Sequence, residues 1–500
     1  MTAAPASAPS HATPDTAGLG GQPRGLTTLF LAEMWERFSY YGMRALLILF
    51  MTKAAAEGGL GYSDKDASAV YGTYTMSVYL LSILGGFIAD NFIGARRAVF
   101  IGGVIIATGH FTMAFNSVAN FYAGLVLVAL GTGLLKPNIS TMVGSLYAPG
   151  DERRDAGFSI FYMGINLGAF AAPLVTGYLA QGAGWKSQLA AWGLDPLHSW
   201  HWGFAAAGVG MVLGLVVYIL QRDRLAHVGH APALEADGRP WGKLGLVALG
   251  SLALILAMKA SDTYPAIVYA LFVVQVAAIL FFAFRSDPDS KRLAAVLVFF
   301  FAAEIFWAIF EQTGSTISLF ADRLTRNEVF GSAFPSSWWQ SVNSIWVILL
   351  APVFAFLWIK LGTRQPSSPL KFVLGLLFVA LSFALMVPAA KLTGAGKISP
   401  LWLVTLFFLQ TSGEMLISPV GLSTMTKLAP ARLVGLVMGI WFLAAALGNK
   451  LAGVLAGGFK SDNPAQLADF FLHQALIVGA CTLALLALVP WVKKLMGGVR

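Results

Sequence analysis

Fourteen long apolar runs limit what this chain can fold into more than any other feature. They lie near 26–52, 68–90, 98–116, 120–147, 156–181, 203–221, 243–260, 264–284, 293–321, 335–360, 370–390, 400–428, 431–459 and 469–496. The hydrocarbon core of a bilayer is about 30 Å thick and a helix rises about 1.5 Å per residue, so one crossing takes roughly 20 mostly apolar residues. Each run is near or above that length. The short alternating stretches of a membrane barrel do not occur. The expected fold is therefore an all-α membrane protein with fourteen transmembrane helices. Composition points the same way: 57% of the residues are hydrophobic and 11% charged, where a soluble chain carries about a quarter charged.

The formal net charge of +9 does not call for nucleic acid. If both termini are cytoplasmic and the spans alternate, the cytoplasmic loops hold 20 Lys and Arg, the opposite loops 9, and four (Arg37, Arg44, Lys136, Lys450) lie inside spans. That bias is what orients a membrane protein, and it predicts a multi-pass protein with both termini cytoplasmic. Residues 1–24 are rich in Ala, Pro, Ser and Thr and lack the apolar core of a signal peptide. They predict a disordered cytoplasmic tail, with the first span acting as an uncleaved anchor. Cys481 is the only cysteine, so no disulfide forms within the chain. "HSWH" and "HVGH" have metal-like spacing, but both sit in loops without further ligands, and neither a metal nor a cofactor is expected.

The polar stretch "RDRLAHVGHAPALEADGRPWGK", from Arg222, leaves six spans before it and eight after. The next two runs, 243–260 and 264–284, hold almost no polar side chains beyond Ser and Gln275, and read as a lipid-facing hairpin with no functional residue. The expected organisation is a tail (1–24), a six-helix bundle (25–222), a linker with the inserted hairpin (223–290) and a second six-helix bundle (291–500). The segment "GGFIADNFIGARRAVFIGG", from Gly85, places Asp90 and the Arg96–Arg97 pair around Gly94. It resembles the loop between the second and third helices of the major facilitator superfamily, with its charges able to pair across the turn.

The first run holds "AEMWERFSYYGMRALL". Glu33, Glu36, Arg37, Tyr40, Tyr41 and Arg44 stand at offsets 0, 3, 4, 7, 8 and 11, one stripe of a helix. A charge at a helix centre costs roughly 2.5–3.5 kcal/mol on insertion scales, while a Leu or Phe returns about 0.3–0.6 kcal/mol. The stripe must therefore face protein or water. Glu33 and Arg37 can satisfy each other at i, i+4, which leaves Glu36 and Arg44 needing partners from elsewhere. The other intramembrane charges are Lys136, beside Pro137; Glu304 and Glu311, two turns apart; Glu414, near Gly413 and Pro419, which weaken the helix; and Lys450, which has no evident partner. Such a set can exchange partners when a carboxylate is protonated, as an ion-coupling device must. Mid-span Trp307 and Trp441 read either as packing groups or as ligand contacts.

"EMWERFSYYGMR" resembles the ExxER-F-x-Y-Y-G signature of the proton-coupled oligopeptide transporters, and "FYMGINLGAF", from Phe161, their fifth-helix signature. The Asp90 loop and "FWAIFEQTGS" agree. The resemblance runs from about Gly25 to the end and implies a major facilitator fold, two six-helix bundles plus a two-helix insertion, importing di- and tripeptides with protons. It implies that Glu33, Glu36, Arg37, Lys136 and Glu311 couple protons, with Lys136 the partner of the first-helix cluster across the cavity. Arg44 would take the peptide carboxylate. Glu414 and Asn343 would take its amino group, and Tyr40, Tyr41, Tyr79 and Asn166 its backbone. Trp307 and Trp441 would line side-chain pockets. Ala169 and Phe170 replace the Ser-Leu common in that signature, a change of pocket shape more than of chemistry. A carrier of another small anion such as nitrate is the alternative. A membrane enzyme lacks a nucleophile–base or metal constellation here, and a channel would not need two six-helix halves.

Overall fold

The computed structural model describes residues 15–148, 151–231, 240–263, 266–430 and 433–498. Most of the expected tail lies outside that set, as do the middle of the Arg222 stretch and the tip of the hairpin turn.

Among the described residues fourteen helices of 18 residues or more are present: α1 (Arg24–Thr52), α2 (Asp64–Ile88), α3 (Ala95–Met113), α4 (Val118–Ser145), α5 (Arg153–Gln181), α6 (Ser199–Leu220), α7 (Trp241–Ala260), α8 (Ala266–Ala283), α9 (Pro288–Phe310), α10 (Gln340–Leu361), α11 (Ser368–Leu392), α12 (Leu401–Leu428), α13 (Val434–Ala456) and α14 (Pro464–Leu495). Twelve are apolar enough to cross a membrane on composition alone. The two exceptions are α1, with its charge stripe, and α3, with Arg96 and Arg97 in its first turn. The fourteen runs of the sequence correspond to these helices with ends shifted by a few residues.

Helices α1–α6 pack among themselves, and so do α9–α14. The hairpin α7–α8 lies on the outside: Met258 is the one buried residue of α7, and α8 has none. It spans the seam between the two groups, with α7 against α2 and α8 against α9. The seam is tightest where α2 meets α13. A Cβ on Gly72 would meet the Gly453 Cα at 2.8 Å, so the two backbones approach as only glycines allow.

Three local features depart from the sequence expectation. First, the ninth run is a broken helix. α9 ends at Phe310, a 3₁₀ turn covers Glu311–Gly314, and a short helix (Thr316–Leu324) finishes the crossing. Backbone freed at membrane depth must find protein partners, and here Gln340 Nε2 donates to the Thr313 carbonyl at 2.7 Å. Second, α4 and α12 run unbroken through Pro137 and Pro419. Beside Pro137 the Asn138 amide donates to the carbonyls of Leu134 (2.7 Å) and Gly85 (3.3 Å), stitching α4 to α2 where the ladder is weakened. Third, Asp90 is exposed and forms no ion pair among the described residues. The charges around Gly94 do not pair across the turn. The linker braces it instead: Arg96 N–H donates to the Gly229 carbonyl at 2.9 Å, and the backbone of His230 and Ala231 lies where a side chain at Gly94 would stand.

Short elements that carry no long apolar run complete the chain. An Ala183–Ala191 helix follows α5, and a two-stranded ribbon, β1 (Glu328–Val329) and β2 (Ser332–Ala333), precedes α10. In the first, Trp185 meets Trp192 and Trp202 edge-on, with ring centroids 5.6 Å apart in each pair, an aromatic cluster suited to a bilayer interface.

Candidate functional site

The stripe on α1 is buried and faces other helices of the protein. Glu33, Glu36 and Arg37 are 3%, 0% and 3% exposed, so none of these charges meets lipid. Arg37 Nε lies 3.0 Å from Glu33 Oε1 and also pairs with Glu36. One guanidinium thus serves both carboxylates, and the partner Glu36 lacked on helical spacing is its own neighbour. Geometry leaves valence over: both Glu36 oxygens, Glu33 Oε2 and Arg37 Nη2 have no aligned hydrogen-bond partner. Lys136 does not ion-pair with this cluster. Its ammonium stands over the Tyr79 ring, 4.0 Å from the centroid, a cation–π contact that holds the charge near the carboxylates without committing it.

Two turns along α1, Arg44 finds its partner on the other group of helices. It pairs with Glu311 at the break after α9, and its Nε donates to the Tyr71 hydroxyl at 2.5 Å. The break is what puts Glu311 there, because a carboxylate in a 3₁₀ turn points differently from one in a continued α-helix. Gly314 completes the fit: a Cβ at that position would overlap the Tyr71 hydroxyl. Tyr40 and Tyr41 stack edge-on at 5.3 Å between the two arginines, Tyr40 under Arg37 and Tyr41 under Arg44.

On α12, Glu414 accepts from Asn343 Nδ2 of α10 at 3.2 Å, and the same amide reaches Thr411 Oγ1 at 2.9 Å. Among the described residues Glu414 has no cation within ion-pair distance. Its neighbourhood contains a carboxylate (Glu311), an amide and a hydroxyl, a set that accepts a cationic group. The remaining candidates are placed less centrally. Asn166 donates to the Tyr162 carbonyl of its own helix at 3.0 Å. Trp307 packs edge-on against Phe306 and Phe310, with its Cβ against Gly448. Trp441 is buried over Gly421, near Phe372.

Glu304 and Lys450 lie elsewhere. Glu304, on α9, is buried, and Lys450 donates to Asp262 and Thr73. The hairpin therefore supplies a polar partner, Asp262, which its apolar sequence did not suggest.

Further polar contacts join the two groups. Arg323 forks onto both Asp64 oxygens at 2.7 Å each, Gln181 bonds Ser336 and the Ser337 backbone, Trp338 Nε1 donates to the Leu174 carbonyl, and Ser341 donates to the Phe170 carbonyl. These bonds lie between mid-span and the end away from the termini.

Tyr71, Thr411, Asp64 and Asp262 were not singled out in the sequence. Tyr71 alone had a signal, standing two turns before Tyr79 in "YGTYTMSVY" and so on one face with it.

The comparisons with known proteins agree. Residues 96–467 match the PTR2 model of the POT family. The chain is 40% identical over 517 residues to the peptide transporter YePEPT of Yersinia enterocolitica, covering 98% of each, and 37% identical over 503 residues to a di-/tripeptide transporter of Lactococcus lactis, covering 96% of this chain and 98% of the relative. A crystal structure of a mutant peptide transporter POT in complex with alafosfalin superposes with a TM-score of 0.83 at 40% identity, over 97% of this chain and 98% of the other. A POT family transporter in complex with 5-aminolevulinic acid gives 0.82 at 31% identity, over 96% and 99%. This chain belongs to the POT family.

Proposed function

We propose that this protein imports di- and tripeptides together with protons by alternating access between its two groups of helices, residues 25–222 and 291–500. The observation that carries the reading is the opposed pair of buried charges: Arg44, from the first group, and Glu414, from the second, with Asn343 beside it. A short peptide is a zwitterion whose charges are a fixed distance apart. A cation on one group and an anion on the other match both ends, and leave the side chains to looser contacts with Trp307 and Trp441. A small inorganic anion would use Arg44 and leave Glu414 without purpose.

Proton coupling follows from the partners these cations already hold. Arg44 is engaged by Glu311, and protonating Glu311 would release the guanidinium for the peptide carboxylate. Glu33 and Glu36 share Arg37 in the same way, with Lys136 close enough to take over a carboxylate when the other is protonated. Each exchange trades one buried ion pair for another, so no charge is left alone in low dielectric. Tyr40, Tyr41, Tyr79 and Asn166 would bind the peptide backbone.

The bonds from Arg44–Glu311 to Arg323–Asp64 hold the end away from the termini closed. With the termini cytoplasmic, as the basic loops favour, the structure is a form closed to the outside of a bacterial inner membrane. Related proteins whose names record peptide transport support the substrate class. The test is uptake of labelled dialanine into proteoliposomes with and without an inward proton gradient. Accumulation only with the gradient supports the proposal. No peptide uptake by folded protein, with uptake of nitrate in its place, would overturn it.

A further inference from the structure

The inserted hairpin puts a charge where the two groups of helices meet. Lys450 is wholly buried, on α13 at its contact with α2. A lysine inside the hydrocarbon region needs a counter-charge, and neither group supplies it. Its ion-pair partner is Asp262, at 2.6 Å, in the turn after α7. Its second partner is Thr73 of α2, at 2.9 Å. One ammonium therefore binds three parts: its own group, the hairpin, and the opposite group. One helical turn further, Gly453 meets Gly72 of α2, so the lysine stands beside the closest backbone approach across the seam.

The hairpin is fixed to the second group at another point too. α8 packs against α9, with the Phe272 ring edge-on to Phe301 at 5.5 Å between centroids. Meanwhile α7 rests against α2 of the first group. If the groups part at this end, Lys450 loses Thr73 but keeps Asp262, while α7 slides on α2. We infer that Asp262 and Lys450 are positioning residues of the transport cycle: the hairpin supplies the counter-ion that lets Lys450 clamp α13 to α2, favouring closure of the end away from the termini.

The inference rests on alternating access, but a distance between the two groups can be read without assuming any substrate. Spin labels at exposed Ser187 and Lys460, in a Cys481→Ser background, report that end in reconstituted protein. Asp262→Asn leaves Lys450 without its counter-ion. The expected result is a shift of the distance distribution to longer values and about a tenfold slower dialanine uptake, with dialanine affinity unchanged within about twofold. The exchange Asp262→Lys with Lys450→Asp should restore both short distance and uptake. Wild-type distances in Asp262→Asn, or a swapped protein that folds and does not recover, would overturn the inference. Where Asp262→Asn fails to fold, Asp262→Asn with Lys450→Met leaves no orphan charge. It should still show the longer distance, and an unchanged distance there overturns the inference as well. Failure of peptide uptake in the wild type, with the distances responding as stated, would count against the substrate and leave the clamp standing.

Discussion

The centre of the molecule and the hairpin seam bury the same kinds of group and treat them in opposite ways. At the seam Lys450 is closed off, with a carboxylate and a hydroxyl both within 2.9 Å. In the centre, valences stay open. Glu36 and Arg37 touch without aligned hydrogen bonds, Lys136 faces a ring, and Glu414 has an amide where a cation would fit. Unsatisfied buried groups are costly, and on the proposed reading the central ones are those that the substrate and protons engage. On the same reading the seam holds a conformation, whereas the centre exchanges partners.

Substitutions can break this contrast, and the largest effect is expected at Arg44. Arg44→Ala should lower dialanine transport by more than about 100-fold in both gradient-driven uptake and counterflow, because a buried charge pair across a binding site is worth roughly 2–5 kcal/mol. Retained counterflow would show that Arg44 is not a substrate contact. Glu33→Gln should separate the two modes: accumulation against a gradient is lost while counterflow stays within about twofold, since only the protonatable group is gone. Equal loss of both would make the α1 cluster a packing device, like the seam.

Smaller effects are expected along the closed end. Gly453→Leu overpacks the α2–α13 contact, a change of about 1–3 kcal/mol, and should lengthen the distance between labels at Ser187 and Lys460. An unchanged distance would mean that the seam does not gate. Asp64→Asn removes the Arg323 fork, but that pair is 22–31% exposed and water screens it. A shift of about 1 kcal/mol or less in the same equilibrium is expected, and a larger one would put the main closure there.

The fold was largely legible in the sequence, because a bilayer demands long charge-poor helices and every such run became one, the run at 293–321 with a break at Glu311–Gly314. The α1 stripe was legible for the same reason turned round: four charges in a span must face inward, and they do. What spacing could not show was pairing through space. Asp262 and Lys450 are 188 residues apart, and nothing local to either marks the other. The Tyr71–Arg44–Glu311 contact depends on a helix break at Glu311–Gly314, whose signal is the polar run "EQTGST" inside the span, which a search for apolar runs passes over. The Ala183–Ala191 helix and the ribbon at 328–333 carry no long apolar run, so neither announces itself in a search for spans. Asp90 fails differently: Arg96 and Arg97 follow it six and seven residues on, but the linker backbone packs against Gly94 and Asp90 is left exposed.

The central claim is that Arg44 and Glu414 hold the two ends of one zwitterion. Dialanine and N-acetyl-dialanine differ at the amino end alone, and calorimetry on purified wild type and Glu414→Gln isolates that end. Hydrogen bonds between charged groups are worth about 1.5–3 kcal/mol, so the wild type should prefer dialanine by roughly 10- to 150-fold and the variant should bind both alike. Equal discrimination by the two proteins would contradict the account.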